Sequence, residues 1–212
     1  MTNDMKKSLE DIKRTFFENV EAVDKLINFD RDIQDLAIQQ IQELSDKLKK
    51  AKNITNEQLN GERTLQMLRQ IRKNDSLRTR YQTIFNQAVV LLISYFGSTI
   101  GDVFRYCVIK VINDRQPKKL LKEDLRISIE DICNVMGSFP DDLGDLFISK
   151  KDISFQDMKS ISRSFNEYIG IKINKNSDVN NIILGQACRH SIVHAGARID
   201  KKIIRQVTDA NP

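Results

Sequence analysis

The sequence predicts an all-α chain, a helical bundle that carries a long N-terminal helix or helical hairpin. Three observations lead there. Apolar residues recur at three- and four-residue spacing through most of the chain, and no segment alternates as a half-buried strand would. The 212 residues include three prolines and eight glycines, too few to punctuate many short strands.

Leu9, Ile12, Phe16, Val20, Val23 and Ile27 form one apolar run, and Ile33, Leu36, Ile41, Leu44 and Leu48 form a second. Charges fill the gaps, so residues 8–52 read as one helix, or as a hairpin broken at Asn28-Phe29-Asp30. Residues 1–60 are therefore expected to form a coiled-coil-like extension and residues 61–212 the main helical domain. For the extension, packing on its own chain is favoured over docking a partner. Thr55-Asn56-Glu57-Gln58 has the spacing of a capping box, in which the Thr oxygen and the Gln side chain satisfy each other's backbone. A short basic helix should follow to about Lys73. Asn74-Asp75-Ser76 marks the next start. Behind it, a strongly apolar helix is expected from about Leu77 to Asn113, with Tyr81, Phe85, Val89, Leu92, Phe96, Val103, Tyr106 and Ile109 as its apolar positions. Gly97 and Gly101, four apart, would allow close approach of another helix or a kink.

Residues 114–122, with Pro117 and its lysines, read as a loop. Ser128-Ile129-Glu130-Asp131 opens a short helix ending by Gly137, and Phe139-Pro140-Asp141-Asp142 opens another. Ser154-Phe155-Gln156-Asp157 caps a third, running through Met158, Ile161, Phe165 and Tyr168 to Gly170. The last clear helix begins near Val179 and carries Ile182, Ile183, Ala187, Ile192 and Val193.

No secretory signal precedes the first amphipathic run. The most apolar stretch, residues 88–96, is about nine residues, short of the ~20 that cross a bilayer. No membrane partner is expected, and the location is cytoplasmic. Cys107, Cys133 and Cys188 are isolated and read as small buried hydrophobes in a reducing compartment. The formal charge is +5, unevenly placed. Residues 1–60 hold ten basic and twelve acidic groups, and 81–185 hold thirteen of each. The excess lies in 61–80, with six basic against two acidic, and in 186–212, with five against two. Such blocks suit a polyanion, and a solvated face is the plainer alternative.

The second block contains Arg189-His190-Ser191-Ile192-Val193-His194, and both histidines of the protein lie in it. Four apart on a helix, His190 and His194 share a face. Arg189 lies about 140° around from His194 at ~100° per residue. Ala195-Gly196 is a natural helix stop. The sequence has no P-loop, GxGxxG, GxSxG, HExxH or CxxC. No third ligand accompanies the two imidazoles, so neither a metal nor another cofactor is expected. An arginine beside histidines in a basic setting fits phosphodiester chemistry. Histidine can take or give a proton near neutrality, and arginine can clamp phosphate oxygens in pairs. RNA brings its own nucleophile, the 2′-hydroxyl, so cleavage needs neither metal nor catalytic carboxylate.

The stretch Arg189–Gly196 resembles the R-x4-H signature of the HEPN family (higher eukaryotes and prokaryotes nucleotide-binding). The aromatic-ended helix at 89–96 and the block from Ser154 to Ile171 are similar to the RiboL-PSP-like prokaryotic type. The resemblance covers roughly residues 75–205. It implies a HEPN helical bundle, usually a homodimer whose motifs meet at the interface. Many members are metal-independent endoribonucleases of toxin–antitoxin or phage-defence systems. By position, the resemblance makes Arg189 the phosphate-binding residue, His194 the acid or base, and His190 the polar residue that tunes the pair. It implies an RNA substrate, a homodimer partner and an antitoxin or defence-system partner. Relatives often carry a glutamate where this chain has Gly97, and the nearest acid on that helix is Asp102. Relatives also commonly continue into another helix past the motif, which leaves open whether residues 61–212 lack the last one. The alternatives are a non-catalytic HEPN dimerisation module and a coiled-coil adaptor acting through residues 8–52.

Overall fold

The computed structural model describes residues 2–50, 56–74, 81–116, 120–135 and 143–210. Among these there are helices and turns and no strand, so the all-α expectation holds. The chain divides into two compact units, residues 21–88 and residues 1–20 with 89–212.

Helix α1 (Thr2–Lys50) runs unbroken for 49 residues, about 73 Å at ~1.5 Å per residue. Of the two alternatives, one long helix and a hairpin broken at Asn28-Phe29-Asp30, the structure has the first. Asn28 Nδ2 donates to the Asp24 carbonyl at 3.0 Å and to Asp24 Oδ1 at 3.1 Å, so the side chain bonds back into its own helix. Within the 21–88 unit, α2 (Asn56–Lys73) runs antiparallel to α1. Lys49 pairs with Glu62 at 3.0 Å, Arg69 donates to Gln42 at 2.9 Å, and Arg72 bridges Asp35 at 2.9 and 3.1 Å. On α1 these partners recur every seven residues, which puts them along one edge of a hairpin seam. Val23 and Leu65 are buried in this unit, while Leu26, Phe29, Ile33, Leu36 and Leu44 stay exposed on α1. The Thr55 cap, the Asp75-Ser76 start and Leu77 lie outside the described residues.

The larger unit is built on α3 (Gln82–Asp114). It is the one described helix long and apolar enough to cross a membrane by length and composition. The nine-residue run is too short alone, but the helix around it is not. One stripe of it goes into a core: Phe104, Val108 and Val111 are buried with Leu120, Phe147, Met158, Ile161 and Phe165. The buried stripe thus passes through Phe104 and Val108, whereas Val103, Tyr106 and Ile109 are half-covered. A helix apolar on every side does not reveal from its sequence which side is innermost. Ile12, Thr15 and Asn19 of α1 share a cleft with Tyr95, Ser98 and Thr99 of α3.

A 3-10 turn at Leu120–Lys122 leads to α4 (Ile129–Val135). Ser128 and Asp131 cap α4 reciprocally. The Asp131 amide donates to Ser128 Oγ at 3.1 Å, and the Ser128 amide and hydroxyl each donate to Asp131 Oδ2 at 2.7 Å. Pro117, Gly137 and the 139–142 start signal lie outside the described residues. Helix α5 (Leu143–Lys150) lies so close to α3 that a Cβ on Gly144 would come 3.1 Å from Arg105 Cα. Arg105 bridges Asp102 and Asp145, tying the two helices.

Lys150 of α5 pairs with Asp131 at 2.6 Å. That contact, with the Ser128 hydrogen bonds, holds the Asp131 carboxyl down at about 2. A carboxyl depressed in the fold stabilises it above its unfolded value, near ~3.9, and that contribution is lost as pH falls through about 2. A carboxyl-carbon NMR titration should therefore find the Asp131 midpoint well below those of exposed aspartates. A midpoint near 4 would show that the α4–α5 tie does not persist in solution.

Helix α6 (Met158–Ser164) starts three residues later than its sequence suggests. Asp157, not Ser154, is the cap, accepting from the Ser160 amide at 2.8 Å. Ser154 Oγ instead accepts from the Gln156 amide at 3.3 Å. The helix passes into a π turn (Phe165–Ile169) that closes on Gly170, whose φ of 80° lies in the left-handed region. The wide turn brings Phe165 and Tyr168 both against Phe104, at ring separations of 5.3 and 6.5 Å. Helix α7 (Ser177–His194) is capped by Asn176, which accepts from the Val179 amide at 2.8 Å. A further helix, α8 (Lys201–Ala210), follows and packs on α7, so α7 is not the last. Asp200 caps it, accepting from the Ile203 amide at 2.8 Å, and Ile203 is buried.

The cysteines are all free, and the expectation that they are buried fails for two of them: Cys133 and Cys188 are exposed. Both lie on outward faces of their helices, where a small thiol tolerates water. Cys107 is half-buried, and burial pushes its thiol pKa up.

Candidate functional site

Arg189, His190 and His194 all lie on α7, in its last turn and a half. One turn earlier, Gly185 faces Ile93 of α3. A Cβ there would lie 2.6 Å from Ile93 Cδ1 of α3, so glycine lets α7 approach α3 closely. Arg189 follows on nearly the same side and enters a cleft of about 380 Å³ between α3 and the 153–156 loop. Ser94, Gly97, Ser98, Ser154 and Gln156 line that cleft with it. The guanidinium Nε of Arg189 is buried and has no hydrogen-bond partner among the described residues. A buried donor left unmade costs ~1–3 kcal/mol, and such groups in native folds call for an explanation.

Gly97 belongs to the same construction. A Cβ there would meet the Phe155 carbonyl oxygen at 3.1 Å, and one on Gly101 would meet the Phe155 ring at 3.3 Å. The two glycines admit a loop residue rather than another helix, and α3 continues through them as one helix. The cleft beside Arg189 is lined by Ile93, Ile153, Phe155, three serines and Gln156, with no carboxylate among its lining residues.

The histidines stand elsewhere on α7. Their ring centroids are 4.9 Å apart, with planes at 45°. His194 is exposed and His190 half-buried. Neither lines the arginine cleft. The structure thus brings the two imidazoles together and sends the guanidinium to a neighbouring cleft, as the ~100° step per residue requires.

The end of the motif is rigidly made. Ser191, buried between the histidines in sequence, donates from Oγ to the Arg198 carbonyl at 2.7 Å. Its own carbonyl accepts from Ala195 and Ala197, both at 2.9 Å. Gly196 and Ala197 take φ values of 59° and 62°. Glycine adopts that conformation freely, and alanine there is strained by ~1–2 kcal/mol. The turn returns the chain to α8 and places Arg198, Lys201 and Arg205, all exposed, beyond the histidine end of α7.

Gln186 escapes a reading of the sequence by motif. Its Oε1 accepts from the Met158 amide at 3.0 Å, satisfying the first turn of α6 from α7. Gly185 had a signal, a glycine four residues before the arginine; Gln186 had none. Among the described residues, no group of three or more His, Cys, Asp or Glu side chains is placed to hold a metal ion. No family model matches the chain, and neither a curated protein nor a solved structure does.

Proposed function

We propose that the chain is a metal-independent endoribonuclease of the HEPN type, acting as a homodimer in a toxin–antitoxin or phage-defence role. The observation that carries this reading is the α7 constellation: a guanidinium with an unpaired buried Nε in a cleft with three serines, and an imidazole pair with His194 exposed on the same helix. Arg189 would hold the scissile phosphate. One imidazole would draw the proton from the 2′-hydroxyl, which attacks the phosphorus, while a second protonates the departing 5′-oxygen, leaving a 2′,3′-cyclic phosphate. His194, the exposed member, is the proton carrier, and His190 positions it.

Two copies supply what one helix lacks. Val193, Ile199 and Ile204 are exposed apolar residues around the histidine end of α7, at 48%, 79% and 57%. A two-fold axis through this patch would cover them and bring two arginines and four histidines to one interface.

Purified protein incubated with mixed RNA in EDTA should cleave it and leave cyclic phosphate ends, while DNA stays intact. An equally folded His194→Ala protein should not cleave. Cleavage that survives the substitution, or none by the wild type, would overturn the reading. The contact of Gly97 with Phe155, which puts backbone where an acid would orient Arg189, favours the second reading, a non-catalytic HEPN interaction module. That module would form the dimer and leave RNA uncut.

A further inference from the structure

A second cavity, larger than the arginine cleft, is a groove of about 540 Å³ formed by α6, the 172–175 loop and the start of α7. Four cations line it, Lys159, Arg163, Lys172 and Lys175, and no carboxylate does. All four are exposed. Lys159 and Arg163 stand four apart on α6, where like charges oppose one another by ~0.2–0.5 kcal/mol unless an anion lies between them. The floor is apolar, made by Met158, Ile173, Val179 and Ile183, and Ser162 and Asn166 add neutral hydrogen-bonding groups. A wall of cations over an apolar floor, within the ~300–1,000 Å³ of ordinary ligand sites, suits an anion that also carries flat apolar faces.

The position of the groove on α7 adds a direction. At ~100° per residue, Val179, Ile183, His190 and His194 fall within about 60° of one another around the helix. Ile183 precedes His190 by seven residues, about 10 Å along the axis, roughly the rise of three stacked nucleotides at ~3.4 Å each. The groove floor and the imidazole pair thus face the same side of α7, with the buried Gln186 and Ala187, where α6 packs on α7, between them.

We infer that this groove is a single-stranded RNA track, holding phosphates on Lys159, Arg163 and Lys172 and bases on Ile173, Val179 and Ile183, on the same side of α7 as His190 and His194. The inference rests on the ribonuclease reading for its ligand class, and the test separates the two. The full-length His194→Ala protein, in EDTA, is titrated with a short labelled RNA of mixed sequence and, separately, with a mixture of free mononucleotides. The same protein with Lys159→Glu and Arg163→Glu is the comparison. Both residues are exposed, and circular dichroism verifies the fold.

RNA affinity should fall at least tenfold in the charge-reversed protein. The slope of log affinity against log salt should lose about 1.4, two phosphate contacts at ~0.7 each for a single strand. Equal affinity and slope in the two proteins would overturn the track, as would groove-dependent binding of mononucleotides without RNA. Wild-type cleavage in EDTA is scored independently. No cleavage with groove-dependent RNA binding sinks the ribonuclease reading and keeps the track; cleavage with groove-independent binding does the reverse.

Discussion

Phe104→Ala should destabilise the larger unit by about 3–5 kcal/mol. Phe104 is fully buried, and its ring meets Phe165 at 5.3 Å, Phe155 at 5.4 Å, Phe147 at 6.4 Å and Tyr168 at 6.5 Å. Those four rings come from α5, the loop before α6 and the π turn. Truncation removes the one side chain that all of them share, and rigid aromatics refill such a cavity poorly. The loss is a large part of the ~5–15 kcal/mol that a domain has. Thermal unfolding should show it as a drop in Tm of roughly 10 °C. Phe17→Ala, at a phenylalanine 58% exposed on α1, should shift Tm little. Equal shifts for the two would mean that the aromatic cluster is not the centre of the core. Because Phe155 also packs on Gly97 and Gly101, loosening the cluster should open the arginine cleft as well.

The helices were legible because their determinants are local. Three- and four-residue apolar spacing and the pairing of Ser128 with Asp131 each act within a turn or two, and the structure uses them at those places. Errors arose where two local solutions compete. Ser154 and Asp157 both offer a side-chain oxygen at a plausible helix start, and Asp157 prevails where Gln186 of α7 also bonds the Met158 amide. The second bond comes from 28 residues away and leaves no trace nearby. Helix α8 went unread because Ile203, Ile204 and Val207 are its few apolar residues and Ile203 alone among them is buried. Asp200, three residues ahead of Ile203, was its available signal.

Charge was legible as a sum and misleading as a map. Residues 81–185 hold equal numbers of acids and bases, and nothing in that balance suggests a polyanion. Folding sorts the signs. Asp102 and Asp145 are taken by Arg105, Glu123 by Lys151, and Asp131 by Lys150. Lys159, Arg163, Lys172 and Lys175 come together along one groove. The candidate site was similarly half legible: helical periodicity placed the imidazoles together. The arginine's destination depended on Gly185 and on the approach of Phe155 to Gly97, and both are contacts between distant segments.

Arg189→Met separates the two readings of α7 by moving stability and activity in opposite directions. The buried Nε of Arg189 has no partner among the described residues, so the native protein carries the cost of an unmade hydrogen bond. Methionine is a flexible apolar side chain suited to filling such a space, and it removes the stranded donor. The expected Tm is therefore equal to or above that of the wild type. If Arg189 grips the scissile phosphate, cleavage in EDTA should fall by about 10²–10³, the cost of removing one preorganised donor to developing charge. Arg189→Lys should recover little, since an ammonium cannot offer the paired donors of a guanidinium. His194→Ala, at an exposed position, should cost about 10²–10⁴ through loss of proton transfer, with Tm unchanged. A site held at the expense of stability behaves in this way. An arginine that merely fastens a helix end would behave oppositely: its replacement by methionine would lower Tm by several degrees and leave any cleavage where it was.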